Sequence, residues 1–227
     1  MDKIGKLSFT TAAYLRDFKG DIPLTTLGNY LLHAATQHAE SRGFGYEDMV
    51  DKQTAWVLSK MAIELFEPLN QPEPLQILTW IESVQRFTTT RCFEITDSQG
   101  KQLGYARSIW AAINMETRRP VLLDDEKLAP YLHNRPCPIE NPQKIMAAET
   151  DSTPHTQIHV LYSDLDINRH LNSIKYIEHT LDLFPLEVLE NKHISRFEIA
   201  YHSEGRYGME LEVYLKQIDD KKQVVSF

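Results

Sequence analysis

The stretch "SRFEIAY", residues 195–201, repeats the pattern of "SKMAIEL", residues 59–65, at an offset of 136. A second pair follows in the same order: "MELEVYL", residues 209–215, lies over "LQILTWI", residues 75–81, at an offset of 134. Neither match is strong alone. Their common order, each time after a helix-like segment, points to a duplicated helix-plus-sheet unit.

Outward from these segments, the first unit opens with "LTTLGNYLLHAATQH", residues 24–38. Leu24, Leu27, Leu31, Ala34 and Ala35 recur at helical spacing, with Thr25 or Thr26 as the expected N-cap. Strand-like runs rich in β-branched and aromatic residues follow, ending in "LGYARSIWAAINM", and "DSQGKQ" reads as a hairpin turn. In the second unit "HTQIHVLY" is a strand with Ile158 and Val160 on one face. Leu171, Ile174, Ile177 and Leu181 then mark a helix that Pro185 is expected to end.

Between the units, Pro130, Pro136, Pro138, Pro142 and Pro154 are five of the chain's eleven prolines. That density predicts an extended linker over a surface. The expected division is residues 1–123, a linker at 124–156, and 157–227. The second unit has no counterpart of "LGYARSIWAAINM", and "KKQVVSF" stops in mid-strand by its pattern. The expectation is a second sheet with fewer strands and a truncated C-terminal end.

Composition bounds the function. The chain has 227 residues, 42% of them hydrophobic, enough to bury a core, and a net charge of −8. That charge argues against non-specific nucleic-acid binding, which rests on neutralising phosphates. Cys92 and Cys137 form no CxxC pair, so a metal–thiolate cluster is not expected and a reducing cytoplasm fits. The N-terminus lacks a signal-peptide core, and no run approaches the ~18 apolar residues of a membrane span.

The densest chemistry lies in "SDLDINRHLNS", residues 163–173. Asp164, Asp166 and Asn168 fit positions one, three and five of a calcium loop. Arg169 stands where Gly is needed and Lys175 where Glu is needed, so that reading fails. A strand followed by DxD suits an aspartyl phosphatase, but the chain lacks the βαβ alternation of a parallel sheet. No GxSxG elbow, GxxxxGK[ST] loop or GxGxxG turn occurs. A polar turn capping a helix through Asn168 or Asn172 accounts for any single residue. It accounts less well for Asp166, Asn168 and His170 together, whose alternation would place them on one side of an extended segment.

The stretch "SDLDINRHLNSIKYIEHTLD" resembles the signature SDLD-x-N-x-H-x-N-x-x-x-Y of the acyl-acyl-carrier-protein thioesterases of plants and bacteria. "TLGNYLLHAATQHAESRG" and "SIWAAINMETRRPVLL" resemble the same family, and the likeness runs from about residue 8 to 215. The resemblance implies an α+β tandem double hot-dog, each half an antiparallel sheet wrapped around one long helix. The first half would hold the acyl chain and the second the chemistry. It implies acyl carrier protein as partner, hydrolysis of its fatty acyl thioester, no cofactor and no metal, and it leaves a homodimer open. The bacterial form is expected, since no plastid-type leader precedes residue 1. A hot-dog acyl-CoA thioesterase and a non-catalytic acyl-binding protein are the rival readings.

By position, Asp166, Asn168 and His170 match the family's Asp, Asn and His. "EIAYHSEGR" resembles the family's "EYRRECGR", which makes Glu204 the matching glutamate, although the following Cys is missing here. Cys92 falls on a first-half strand and Cys137 in the linker, both expected to be structural. Water is then the nucleophile, activated by Glu204 and His170. Asn168 would donate an amide or orient the histidine, and Asp166 would tune the network or act as base. Backbone N–H groups at the start of the Leu171 helix would cradle the oxyanion. Tyr176 reads as helix–sheet packing, His155 and His159 as surface residues, and Trp56, Trp80 and Trp110 as core. Arg86, Arg91, Arg107, Arg118 and Arg119 read mostly as solvated strand residues, some meeting the acidic carrier. An offset of 143, pairing Asp21 with Asp164, sets Pro23, Thr25 and Leu27 where Asp166, Asn168 and His170 stand.

Overall fold

The computed structural model describes residues 3–71, 74–145 and 153–227. The first unit begins with strand β1 (Gly5–Phe9) and helix α1 (Leu24–Glu40). A short α2 (Tyr46–Val50) leads into β2 (Thr54–Leu65), β3 (Leu75–Val84), β4 (Thr88–Thr96) and β5 (Gln102–Asn114). A short α3 (Asp125–Leu128) opens the linker. The second unit holds β6 (Thr156–His159), α4 (Ser173–Leu181), α5 (Leu186–Asn191), β7 (Arg196–Ala200), β8 (Glu210–Gln217) and β9 (Gln223–Ser226). Among the described residues no helix is long and apolar enough to cross a membrane.

All strand pairs are antiparallel, in a six-stranded sheet ordered β1-β3-β4-β5-β2-β7 and a three-stranded sheet β6-β8-β9. The duplication is visible in the register. Leu7 of β1 pairs Ile77 of β3, and Ile158 of β6 pairs Leu211 of β8, the residue 134 positions after Ile77. Strands β2 and β7 join the two units, and Ala62 pairs with Glu198, its own counterpart at offset 136. A pseudo-twofold axis therefore passes through that pair. The result is the tandem double hot-dog. In the first unit β5 lies between β2 and β4. The described residues of the second unit supply no strand between β7 and β9, leaving four strands there against five before it.

The sheet curls around α1, whose Leu27, Leu31 and Ala34 are fully buried against Ile63, Ile77, Phe93 and Ile95. Such burial contributes about 1.5–3 kcal/mol for each large apolar side chain. The second helix packs on the first: Ile174 and Ile177 join the same core. Gly28 allows the approach, since a Cβ there would sit 2.7 Å from Ile174 Cδ1. Pro23, not Thr25 or Thr26, occupies the N-cap of α1, and the Thr26 hydroxyl donates instead to the Leu15 carbonyl. Helix α4 has already ended at Leu181, and Pro185 opens α5.

The linker crosses the outer face of the first sheet. Trp80 Nε1 donates to the Arg135 carbonyl, Cys137 N to Glu82, and Arg107 to the Ile139 carbonyl. This buries Arg107, whose charge is met by Glu82. Arg91 is also buried, bonded to His38 Nδ1 and the Thr79 hydroxyl. Both arginines therefore depart from the solvated reading: Arg91 faces His38 of α1, while Arg107 lies on the opposite face of the sheet and is covered by the linker. Arg91 is brought down to about 9 chiefly by burial, with Arg42 adding repulsion. Cys92 and Cys137 meet in one buried cluster with Trp80 and Tyr105. The hydrogen bond between the two thiols, helped by burial, pushes Cys92 up, and the same bond holds Cys137 down against the opposing effect of burial.

Candidate active site

The segment 166–170 is a closed turn, not an extended strand. Asp166 Oδ1 accepts the backbone N–H groups of Asn168 and His170 at 2.8 and 3.0 Å. The main chain closes behind it, Asp166 N donating to the His170 carbonyl at 2.8 Å. Arg169 takes the left-handed conformation, φ 64°, that lets the chain reverse. An aspartate that satisfies two backbone donors this way fixes a turn without helix or sheet. The three side chains therefore do not share one side of a strand. Asp166 points back into its own turn, Asn168 is exposed, and His170 is half-buried at the exit.

Asn172 then caps α4, its Oδ1 accepting from Ile174 N at 2.9 Å. Leu171 N donates to the Gly205 carbonyl and Asn172 N to the Asp164 carbonyl, each at 2.8 Å. The N–H groups of Leu171, Asn172 and Ile174 are thus already satisfied within the protein. Asp164 is buried and accepts Leu161 N at 2.9 Å, which anchors the loop ahead of the turn.

The loop after β7 brings the glutamate. Gly205 lies against Leu171, and a Cβ there would stand 3.0 Å from Leu171 Cβ and 3.2 Å from the Tyr176 hydroxyl. Gly205 N donates to that hydroxyl at 3.1 Å. Tyr176 thus does more than pack between helix and sheet. It fixes the residue next to Glu204. His170 Nε2 and Glu204 Oε2 come within 3.2 Å.

Glu204 spends both oxygens. Oε1 is paired with Arg118, and Oε2 faces His170 with Arg206 at 4.0 Å. Arg118 arrives from the turn after β5, in the first unit. Sequence spacing gave no sign of it beyond the pair Arg118–Arg119 at the end of a strand. The His170 imidazole is held below its ordinary value. Burial is the largest cause, Asp166 opposes it, and Arg118 and Arg206 add repulsion. Neutral imidazole with Nε2–H donated to Glu204 leaves Nδ1 as an acceptor.

The first unit carries a second copy of this turn. Asp17 Oδ1 accepts Lys19 N and Asp21 N at 2.9 Å each, Asp17 N donates to the Asp21 carbonyl, and Gly20 has φ 83°. Ile22 N donates to the Leu69 carbonyl as Leu171 N does to Gly205. The true offset is therefore 149, not 143, because hydrogen bonding and not residue type sets the equivalence. Lys19 stands where Asn168 stands, Asp21 where His170 stands, and Pro68 where Glu204 stands. The first copy keeps the turn, with no imidazole and no glutamate at those places. A cavity of about 170 Å³ lies beside it, lined among others by Phe18, Ile22, Leu69, Leu181 and Ile194.

Comparison with known proteins agrees with this architecture. Residues 3–131 match the profile of the acyl-ACP thioesterase N-terminal domain, and residues 147–226 that of the C-terminal domain. A crystal structure of an acyl-ACP thioesterase from Bacteroides thetaiotaomicron is 43% identical, with a TM-score of 0.92 over 98% of this chain and 90% of that one. The 12:0-ACP thioesterase from Umbellularia californica, 21% identical, shares the fold with a TM-score of 0.85 over 98% and 91% of the two chains. A chloroplastic acyl-[acyl-carrier-protein] hydrolase of Cuphea viscosissima is 27% identical over 217 residues, 90% of this chain and 53% of the relative. An oleoyl-acyl carrier protein thioesterase of Arabidopsis thaliana is 27% identical over 219 residues, 88% and 59% of the two. The chain thus spans a little over half the length of these plant relatives. Two matching domains that together run through nearly the whole chain, on a double hot-dog that brings His170 to Glu204, place this protein in the acyl-ACP thioesterase family.

Proposed function

We propose that this chain hydrolyses the thioester of acyl-acyl-carrier protein, releasing a fatty acid and the carrier thiol. The observation that carries the reading is the approach of His170 Nε2 to Glu204 Oε2 at 3.2 Å, at a half-buried position beside an exposed amide. With both its oxygens engaged, Glu204 orients and His170 Nδ1 acts as the base. His170 takes a proton from water while the water oxygen bonds to the thioester carbonyl carbon. The Asn168 amide donates to the oxyanion, a contribution of roughly 3 kcal/mol. The tetrahedral intermediate collapses with cleavage of the C–S bond, and the thiolate recovers the proton from His170. Asp166 builds the turn and adds its charge to the histidine's surroundings. The second unit, residues 157–227, carries the chemistry, and the first, residues 1–123, holds the acyl chain against its apolar, tryptophan-bearing strands.

The test is thiol release from acyl-carrier protein and acyl-CoA in parallel, over a ladder of chain lengths. The expected result is faster turnover of the carrier-protein thioester at equal concentration. His170→Ala and Glu204→Ala should slow every chain length alike, by roughly 10²-fold or more. Preference for acyl-CoA, or no thiol release from either, overturns the reading.

A further inference from the structure

We propose that Arg118 is a positioning residue of this site, supplied by the first unit to hold Glu204 against His170. The proposal rests on the thioesterase reading above and adds a component that lies outside the Asp-x-Asn-x-His segment and its glutamate.

Three observations carry it. First, the Arg118 guanidinium pairs with Glu204 Oε1, while the other oxygen of the same carboxylate faces His170. Second, the turn is built to present Arg118. Asn114 Oδ1 accepts the N–H groups of Glu116 and Thr117 at 3.1 and 2.7 Å, and Arg118 N donates to the Asn114 carbonyl at 2.9 Å. Arg118 itself stands at φ 57°, a conformation that side-chain-bearing residues adopt at a cost. Gln53, at φ 53°, braces the same turn through its carbonyl to Met115 N at 2.9 Å. Third, stability does not explain the pair. The two side chains are 41% and 32% exposed, and ion pairs so exposed contribute little. Its consequence falls on the neighbour: a carboxylate neutralised by arginine orients the imidazole without holding it protonated.

The charged groups facing His170 are Asp166 from its own turn, Glu204 and Arg206 from the loop after β7, and Arg118 from the turn after β5. Removing Arg118 leaves Glu204 less compensated and removes one repelling cation, so imidazolium becomes easier to form. The experiment uses the full chain with Arg118→Ala, Arg118→Lys and Arg118→Gly, the last relieving the backbone strain should Ala fold poorly. Two readouts are taken: the pH profile of kcat/KM on an acyl-carrier-protein thioester, and an NMR titration of His170. Arg118→Ala or Arg118→Gly should lower kcat roughly 10- to 10²-fold with little change in KM. It should also move the acid limb and the His170 titration together to higher pH. Arg118→Lys keeps the charge and loses the planar fork, so the acid limb stays while kcat falls in part. Folded Ala and Gly variants with kcat within twofold and an unmoved titration overturn the proposal. If the wild type releases no thiol, the functional reading fails, and the NMR titration still decides whether Arg118 sets the state of His170.

Discussion

Asp17 and Asp166 make the same pair of bonds in the two units. Each carboxylate Oδ1 accepts the N–H groups two and four residues ahead, at 2.9 and 2.9 Å in the first and 2.8 and 3.0 Å in the second. One turn leads to the proposed site and the other does not. The carboxylate builds the turn in both places, and the proposed chemistry depends on what stands at the second and fourth positions.

Substituting either aspartate by Ala should cost similar stability, about 1–3 kcal/mol for two charge-assisted bonds. Only Asp166→Ala should also lower turnover, by tenfold or more, because only that turn carries His170. Denaturant melts and thiol release on both variants check this. An equal loss of activity in a folded Asp17→Ala protein would contradict the assignment.

The pH dependence follows from the lowered value at His170. In the proposed mechanism neutral imidazole is the working form, so activity should fall as pH drops through a value below the ordinary ~6.5. Stability moves the same way. The unfolded chain takes up the proton first, so the group's contribution is present above about 6.5 and is lost as pH falls through the folded value. His170→Gln should abolish this step in a stability–pH titration. A wild-type acid limb above 6.5 would show that another group governs the rate.

Gly205 and Tyr176 should matter despite carrying no chemistry. Tyr176→Phe leaves the buried Gly205 N–H without its acceptor, a cost of about 1–3 kcal/mol. Gly205→Ala forces a methyl group against Leu171, with an overpacking cost of about 1–3 kcal/mol. Both should lower kcat by moving Glu204 relative to His170. Normal kcat in a destabilised Gly205→Ala protein would uncouple this contact from the site.

The cysteines should be dispensable for turnover. Cys92 and Cys137 are buried together where the linker crosses the first sheet, and neither lies on the elements that carry His170 or Glu204. Changing both to Ala should leave turnover within a few-fold while lowering thermal stability, and thiol-blocking reagents should react slowly. A hundredfold loss in a folded double variant would return a thiol to the mechanism.

What the amino-acid sequence determined by itself was local or periodic. Alternation in "SKMAIEL" and "SRFEIAY" placed β2 and β7, and three-and-four spacing placed α1 and α4. The order of these segments exposed the duplication, because each pattern is set by the geometry of one element. The segment from Asp166 to His170 was legible because its residues are neighbours, as was Glu204 through its likeness to a known motif. Only the tertiary structure decided which residues meet across long loops. Register between the units could not be read from residue type, since Gly20 and Arg169, or Pro68 and Glu204, share a place and no chemistry. Arg91 and Arg107 looked solvated until the fold set Arg91 against His38 of α1 and laid the linker over Arg107. Cys92 met Cys137 only because the linker folds back over the first sheet. Arg118 reached Glu204 for the same kind of reason: β2–β7 pairing joins the units, and the turn after β5 then faces the loop after β7. Contacts of that sort depend on burial and strand register summed over the whole chain, and no short window of residues contains them.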